Sequence, residues 1–408
     1  MRRSLLVLLS LLQIALLLCL SGCWDRREIN ELAVISALGV DKEDDIWKIT
    51  AEVFQPTTGG GEDGSAGGGG GSSKRQVWIA QGRDYTILGA LREMALKVPR
   101  RVYAAHTSAI LIGEEVARQG ILEFLDLWER DSEARINTEI LACRGKAEEI
   151  IIGSQGGLEK SVGLELSGLK RFAPVNGHST ILSVHEFIAF LGQKGADPFT
   201  GVVELRTVPS ISTAGGGKSS GSTAQALRLK GLALFRDDKL MGFADPTESR
   251  GILAIQGKIA STILHVQATV DENQKDNTVA LEVNKLKKQI KIEENEGQPI
   301  IKIKITAEMG LAEQAYHGDL MQADDIRFLE RQAATVISNE VEKAIQLTKN
   351  LGLDPCGFGE IMRRQKPKLW EQLEKNWPEG LRDIDVSLDS QARVRYSALT
   401  GLPPIEKR

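Results

Sequence analysis

The segment Asp324–Leu351, with the sequence DDIRFLERQAATVISNEVEKAIQLTKNL, decides the fold of the second half of this chain. Its apolar residues recur every three or four positions, which is the spacing of one face of an α-helix, and Gly352 ends the pattern. A helix of this length spans roughly 42 Å, enough to cross a whole sheet. The apolar stripe consists of Ile326, Leu329, Ala333, Val336, Ile337, Ala344 and Leu347.

Four long strand candidates flank this helix. In one of them Ile301, Ile303 and Ile305 alternate with two lysines, so one face of the strand is apolar and the other is polar. Because the apolar faces need a cover, we expect an antiparallel sheet covered by the long helix. The same stripe also fits a coiled-coil seam for a partner protein, but a helix on a sheet is the commoner arrangement. The strand candidates are 259–270, 278–292, 300–307 and 384–398.

Strand and helix signals alternate in the first half of the chain. Residues 33–40 and 47–54 are expected to form a hairpin, because apolar and polar residues alternate in the second of these runs. Further along, Ser183 is followed by Glu186 and then by apolar residues, which is the capping box of a helix N-terminus. The order of these signals predicts a mixed α/β unit.

Two stretches rich in glycine and serine interrupt these patterns, and we place the main domain boundary at the second. We therefore predict an α+β protein of two or three mixed α/β domains, with the third arising if the second half divides near residue 257. The predicted boundaries are 1–22 for a signal peptide, 23–205 for an N-terminal domain with a Gly/Ser loop at 59–73, 206–224 for a Gly/Ser linker, and 225–400 for a C-terminal α+β domain.

The start of the chain has the layout of a lipoprotein signal. Arg2 and Arg3 precede an apolar run that ends in Leu20-Ser21-Gly22-Cys23, the pattern of a bacterial lipobox. Cleavage before Cys23 leaves this residue at the N-terminus, where it is expected to carry an S-diacylglycerol and an N-acyl chain. The alternative is a retained transmembrane helix, but the run is shorter than the ~20 residues that a span needs.

Composition argues against several classes of function. The formal net charge is −4 and the pI is near 5.9, which provides no basic surplus for nucleic acid. Cys143 and Cys356 are the two cysteines that remain after the signal and the lipid site, and we expect Cys143 to be a buried free thiol. The five histidines have neither metal nor catalytic spacing. We therefore expect no metal, no cofactor other than the covalent lipid, and no enzymatic activity.

Several stretches resemble the Ger(x)C family, the lipoprotein C subunits of spore nutrient-germinant receptors. The most specific is the anchor motif Ser-Gly-Cys-Trp-Asp-Arg-Arg-Glu-Ile-Asn at 21–30, and the likeness covers essentially the whole mature chain. The other stretches are 34–41, 106–114, 128–131, 231–242, 357–359 and 370–377.

This resemblance implies a non-enzymatic protein of three mixed α/β domains on the outer face of the spore inner membrane. It also implies that the protein acts with an A-type and a B-type membrane subunit, so that nutrients trigger germination. Trp24 can lie at the headgroup level, and the neighbouring charged residues either contact a membrane subunit or form a solvated leader. The candidate interface residues are Trp24, Asp25, Arg26, Arg27 and Glu28.

The alternative function is that of an extracytoplasmic solute-binding lipoprotein, or, less in keeping with the pattern, a hydrolase of cell-wall material. Solute binders of this type have repeated strand-helix units in two similar lobes. The halves of this chain are unlike, which favours the interaction subunit.

Overall fold

The structure is a computed structural model. It describes residues 10, 13, 31–55, 77–154, 157–209, 223–268, 277–315, 320 and 322–397. Most of the predicted signal peptide, the whole lipobox and the Gly/Ser loop at 59–73 therefore lie outside the described residues, as do residues 210–222 of the predicted linker. Within the described ranges, no helix combines the length and the apolar character needed to cross a bilayer.

The first part of the chain alternates strands and helices, as its pattern predicts. The elements up to residue 191 are β1 Leu32–Glu43, β2 Ile46–Phe54, β3 Val77–Asp84, α1 Ile87–Ala95, β4 Arg101–Tyr103, β5 Ala109–Ile112, α2 Glu114–Gln119, α3 Leu122–Arg130, β6 Glu139–Cys143, α4 Ala147–Gly153, α5 Val162–Asn176, β7 Leu182–Ser183 and α6 Val184–Leu191.

The second part carries longer strands and the long helix. Its elements are β8 Phe199–Pro209, β9 Thr223–Arg236, β10 Lys239–Ala244, α7 Pro246–Gln256, β11 Thr262–Gln267, β12 Thr278–Asn295, β13 Gln298–Gln314, α8 Ala323–Leu351, α9 Phe358–Gln365, α10 Pro367–Leu373 and β14 Asp385–Ser397. Two short 3-10 helices, Glu374–Asn376 and Glu379–Asp383, lie between α10 and β14.

The first sheet is mixed, and in the described residues its strand order is β10-β9-β8-β6-β5-β1-β2-β3. The predicted hairpin is confirmed as the antiparallel pair β1 and β2. The central strands are buried on both faces, since Ile110 and Ile112 of β5 belong to one apolar cluster and Ala109 and Leu111 to another. Such strands have continuous apolar runs rather than alternation. The predicted capping box at Ser183 and Glu186 is also confirmed, at the start of α6.

The second sheet has the order β11-β12-β13-β14, and α8 packs against it as the stripe predicts. One detail of the predicted sheet is wrong, because β14 pairs with β13 in parallel while the other two pairs are antiparallel. The reason is the connection between the two strands. Helix α8 returns the chain along the sheet, so β14 begins beside Ile300, at the same end as β13.

Strands β9 and β10 form one edge of the first sheet. The predicted linker and C-terminal domain contain residues 223–244, but β9 pairs with β8 and β10 with β9 in the first sheet. Leu232 and Leu234 of β9 face the cluster that includes the second sheet, whereas Ala233 and Phe235 face the first half. The two sheets therefore share a continuous apolar core at β9, and the change of sheet occurs between Ala244 and Thr262.

Candidate functional site

The predicted anchor and interface residues, Leu20 to Glu28, lie outside the described residues. The structure nevertheless shows where the chain that follows them enters the folded body. Leu32, the first residue of β1, pairs in parallel register with Arg101 of β4. This pairing defines the end of the first sheet to which the N-terminal segment is attached.

The residues that resemble family motifs in the second half converge on one buried carboxylate, Asp354. Its Oδ1 accepts a hydrogen bond from the Phe358 backbone N–H at 3.0 Å. Its Oδ2 accepts from the Gly359 N–H at 2.8 Å and from the Trp377 Nε1–H at 3.2 Å. Because the two backbone donors are the first free N–H groups of α9, the carboxylate also lies at the positive end of this helix.

A second carboxylate, Asp197, joins Asp354 from the loop between α6 and β8. The Asp354 N–H donates to Asp197 Oδ2 at 2.7 Å, and the Asp197 N–H donates to the Asp354 carbonyl at 2.9 Å. Asp354 is fully buried and Asp197 is 8% exposed. These reciprocal bonds connect a loop of the first sheet to the segment that follows α8.

Arg236, the last residue of β9, makes a further connection between the same two parts. One guanidinium nitrogen donates to the Gly352 carbonyl at the end of α8. Another donates to Glu379 Oε1 at 2.6 Å. The Trp377 ring, with Trp370 5.5 Å away between ring centres, completes the wall of the cluster. We call the group Asp197, Arg236, Asp354, Gly359 and Trp377 the carboxylate junction.

Two glycines allow the backbones to meet at the carboxylate junction. A Cβ built on Gly359 lies 2.6 Å from Trp377 Nε1 and 2.8 Å from the Gly195 Cα. A Cβ on Gly195 lies 2.4 Å from the Glu360 nitrogen, whose N–H donates to the Gly195 carbonyl at 2.8 Å. A side chain at either position therefore forces neighbouring groups apart, which explains the glycines at 195 and 359.

An open cavity of about 360 Å³ lies beside the junction and is lined in part by Asp197, Arg236, Trp377 and Glu379. The carboxylate of Asp354, however, is held by backbone and indole donors. The arrangement therefore links the two sheets through buried hydrogen bonds.

In the described residues, no group of three or more histidine, cysteine, aspartate or glutamate side chains is placed to hold a metal ion. The thiols of Cys143 and Cys356 are free and buried, as we expected for Cys143. Burial raises the pKa of both thiols well above its ordinary value, and Asp41 and Asp354 respectively raise it further. Both cysteines are therefore poor nucleophiles.

Comparison with known proteins covers nearly the whole chain. Residues 25–205 match the model of the spore germination protein N-terminal domain, and residues 230–398 match the model described as spore germination B3/GerAC like, C-terminal. The chain belongs to the Ger(x)C family. The resemblance found in the sequence is thereby confirmed.

Relatives of this Ger(x)C protein include spore germination protein KC of Bacillus subtilis (strain 168), which is 26% identical over 98% of each chain. The putative spore germination protein YfkR of the same organism is also 26% identical, over 91% of this chain and 92% of the relative. The crystal structure of the GerBC protein matches with a TM-score of 0.54 and 18% identity, covering 88% of this chain and 96% of GerBC. This structure supports the α+β fold.

The carboxylate junction of this Ger(x)C protein was not found from the sequence. The resemblance pointed to Gly357–Gly359 and to Trp377, but neither Asp197 nor Asp354 was recognised as a partner. The N-cap of α9 is Gly357, so Asp354 lies three positions before the place where a capping side chain is expected, and no capping pattern marks it. No local signal exists for Asp197, which is 157 positions from Asp354.

We expect the junction to make the stability of the Ger(x)C protein depend on pH. Burial raises the pKa of Asp354 to about 7 and that of Asp197 to about 6, although backbone donors partly oppose the rise. A carboxyl whose folded pKa is raised binds more protons in the native state, so stability is full below about pH 4 and is lost as pH rises through the folded pKa. Urea unfolding should therefore show a decrease of a few kcal/mol between about pH 4 and pH 8.

Carboxyls whose pKa is lowered in the folded protein act in a different pH window. Glu360, whose pKa is lowered to about 2 by Arg363 and Arg364, contributes stability that is lost only when the pH falls below its unfolded pKa. A free energy of unfolding that stays constant or increases from about pH 4 to pH 8 would contradict the assignment of Asp197 and Asp354.

Proposed function

We propose that this chain is the lipid-anchored C subunit of a spore nutrient-germinant receptor. The observation that carries the proposal is the match to spore germination proteins from end to end, over 98% of both chains for protein KC. Two family models that together extend from residue 25 to residue 398 support it. The subunit acts with A-type and B-type membrane subunits, on the outer face of the spore inner membrane, to trigger nutrient-induced germination.

The anchor in this proposal is Cys23. The support for it is the order of the sequence, with Leu20-Ser21-Gly22 before the cysteine and an apolar run before them. Each methylene that enters a bilayer contributes roughly 0.8 kcal/mol, so one acyl chain holds a protein marginally and two or three hold it firmly. A diacylglycerol on the thiol and an acyl chain on the amine together supply the three chains that firm anchoring needs.

The role assigned here is interaction rather than catalysis. The titratable groups with the largest upward pKa shifts among the described carboxyls, Asp197 and Asp354, bond to backbone groups of the protein itself. They therefore stabilise the folded part of the protein, which the lipid anchor attaches to the membrane. Trp24 to Glu28 lie next to the lipid and are the residues we assign to contacts with the membrane subunits or the headgroups.

Deletion of the gene tests the role of the subunit. Spores that lack the chain are expected to lose germination with one set of nutrients and to keep germination with other triggers, because the receptor loses one of three subunits. Release of spore contents after nutrient addition is the measurement, and complementation with the intact gene is the control. Normal nutrient germination by the deletion spores would refute the role.

Substitution Cys23→Ala tests the anchor. The variant is expected to be released from the membrane or to remain unprocessed, with loss of lipid labelling, because the acylated thiol is gone. Membrane fractionation and labelling with a fatty-acid analogue are the measurements. Cys19→Ala is the matched control, since Cys19 lies on the signal side of the cut and its loss should leave labelling unchanged. Full labelling of the Cys23→Ala variant would show that the anchor lies elsewhere.

A further inference from the structure

The distance between the anchor and the fold restricts which end of the protein can face the membrane. Eight residues, Trp24 to Glu31, separate Cys23 from the first residue of β1. Since an extended chain spans no more than about 3.6 Å per residue, these residues reach at most about 30 Å. A compact chain of about 390 residues has a radius of gyration near 21 Å and hence a diameter of roughly 50 Å. The end of the first sheet at which β1 begins must therefore lie near the bilayer.

A small set of side chains surrounds the start of β1. Val98, Pro99 and Arg100 line a depression of about 410 Å³ together with Ala33 of β1. The other wall of this depression is formed by the end of β2 and the start of β3, including Phe54 and Trp78. Leu96 and Lys97 immediately precede these loop residues. We call Phe54, Trp78, Leu96, Lys97 and Arg100 the tether-end surface.

Two apolar side chains of the tether-end surface are exposed. The Leu96 side chain is 87% exposed and that of Trp78 is 37% exposed. Leu96 is also fixed in place, because it is the C-cap of α1 and its N–H donates to carbonyls of the last turn, including Arg92 at 3.2 Å. An exposed leucine on a fixed backbone is stabilised when it enters an apolar environment. Tryptophan is favoured at the headgroup level of membranes.

The charges around this surface nearly balance. Lys97 pairs with Glu93 at 2.6 Å, Arg101 pairs with Glu133 at 2.6 Å, and Glu31 is exposed. Arg100 makes no ion pair with any residue that the structure describes. A single basic residue is attracted only weakly to an anionic membrane surface. Apolar contact is therefore expected to supply most of the attraction of this surface to a membrane, and charge a smaller part.

We propose that the tether-end surface rests on the lipid bilayer, with Leu96 and Trp78 at the apolar boundary and Arg100 against lipid phosphate. This inference rests on the proposed lipid anchor at Cys23. The anchor supplies the affinity for the membrane, and the tether-end surface fixes the orientation. The second sheet is then presented away from the lipid.

Fluorescence quenching by lipid tests this orientation. A fluorophore is attached at Leu96→Cys in the full, lipidated chain, which is reconstituted into vesicles of phosphatidylcholine and phosphatidylglycerol with a nitroxide near the lipid headgroup. Labelling is selective, because Cys143 and Cys356 are buried. The substitution does not threaten folding, since residue 96 is almost fully exposed.

Ile263→Cys is the matched control, because Ile263 is an apolar residue that is 40% exposed on β11. Helix α5 separates the two regions. Its first N–H, that of Val162, donates to Glu52 of β2, and its last residue, Asn176, accepts from Thr262 at 3.0 Å. These 15 residues span about 22 Å. We expect quenching at position 96 to be severalfold stronger than at position 263.

Flotation of the same vesicles separates the possible failures. If the protein floats with the vesicles but both positions are quenched equally, the orientation is wrong while the anchor stands. If the protein does not float, the anchor itself fails and the orientation with it. Absence of quenching at position 96 in these vesicles, which contain no other protein, also overturns the inference, because the surface would then need a membrane protein rather than lipid.

Discussion

Replacement of Asp354 with alanine is expected to lower the free energy of unfolding by about 4 kcal/mol at about pH 5. The substitution removes the acceptor for three donors, the N–H groups of Phe358 and Gly359 and the indole N–H of Trp377. The site is fully buried, so water cannot easily replace the carboxyl group. Each buried donor left without an acceptor costs about 1–3 kcal/mol. Urea unfolding followed by tryptophan fluorescence and circular dichroism measures the loss.

The same variant should also have a weaker dependence of stability on pH. Above about pH 7 the wild-type protein pays for a buried charge that the variant lacks, so the difference between the two should shrink. Asp389→Ala is the control, because Asp389 lies on the exposed face of β14 and its side chain is 55% exposed. Asp354→Asn keeps one acceptor oxygen and should lose less. Equal stability of the Asp354→Ala and Asp389→Ala variants would contradict the structural role.

Substitution of Glu340 with alanine is expected to cost about 3–5 kcal/mol. Glu340 of α8 forms a two-pronged ion pair with Arg250 of α7, including an Nε to Oε2 bond of 2.7 Å. The side chains are 9% and 14% exposed respectively. The two helices are very close here, since a Cβ on Gly251 would lie 2.2 Å from the Glu340 carbonyl oxygen. Removal of Glu340 therefore leaves a charged guanidinium in a nearly closed space.

Two further variants distinguish an unpaired charge from a simple loss of contact. Glu342→Ala changes an exposed carboxylate on the same helix and should alter stability by less than about 0.5 kcal/mol. The double variant Arg250→Met with Glu340→Leu removes both charges and should recover most of the loss, because apolar residues of similar volume commonly replace buried ion pairs without cost. A double variant no more stable than Glu340→Ala would show that the polar pair itself is required.

The carboxylate junction joins the two matched parts of the Ger(x)C protein in one connected body. Asp197 belongs to the residues that match the N-terminal family model, and Asp354 to those that match the C-terminal one. If the tether-end surface rests on lipid, the junction determines how the second sheet is held relative to the membrane. Loss of the junction is therefore expected to change the position of the second sheet relative to the membrane as well as to lower the stability of the protein.

The sequence by itself determined the features that depend on neighbouring residues. The spacing of apolar residues identified α8 and its apolar face, and alternation identified the hairpin of β1 and β2. Ser183 and Glu186 gave the start of α6, because a capping box involves only four consecutive positions. The stretches from 21–30 to 370–377 were sufficient to recognise the family. The lipid on Cys23 and the contacts of Trp24 to Glu28 remain predictions.

Only the tertiary structure decided which distant elements become partners. Periodicity reports that a face is buried, but it does not say which element covers it, so the pairing of β9 and β10 with the first sheet was not predicted. The direction of β14 depends on the path of α8, which no local pattern of β14 contains. Asp197 and Asp354 meet across 157 positions because folded sheets bring their loops together, and a carboxylate in a sequence carries no sign of the donor it will find.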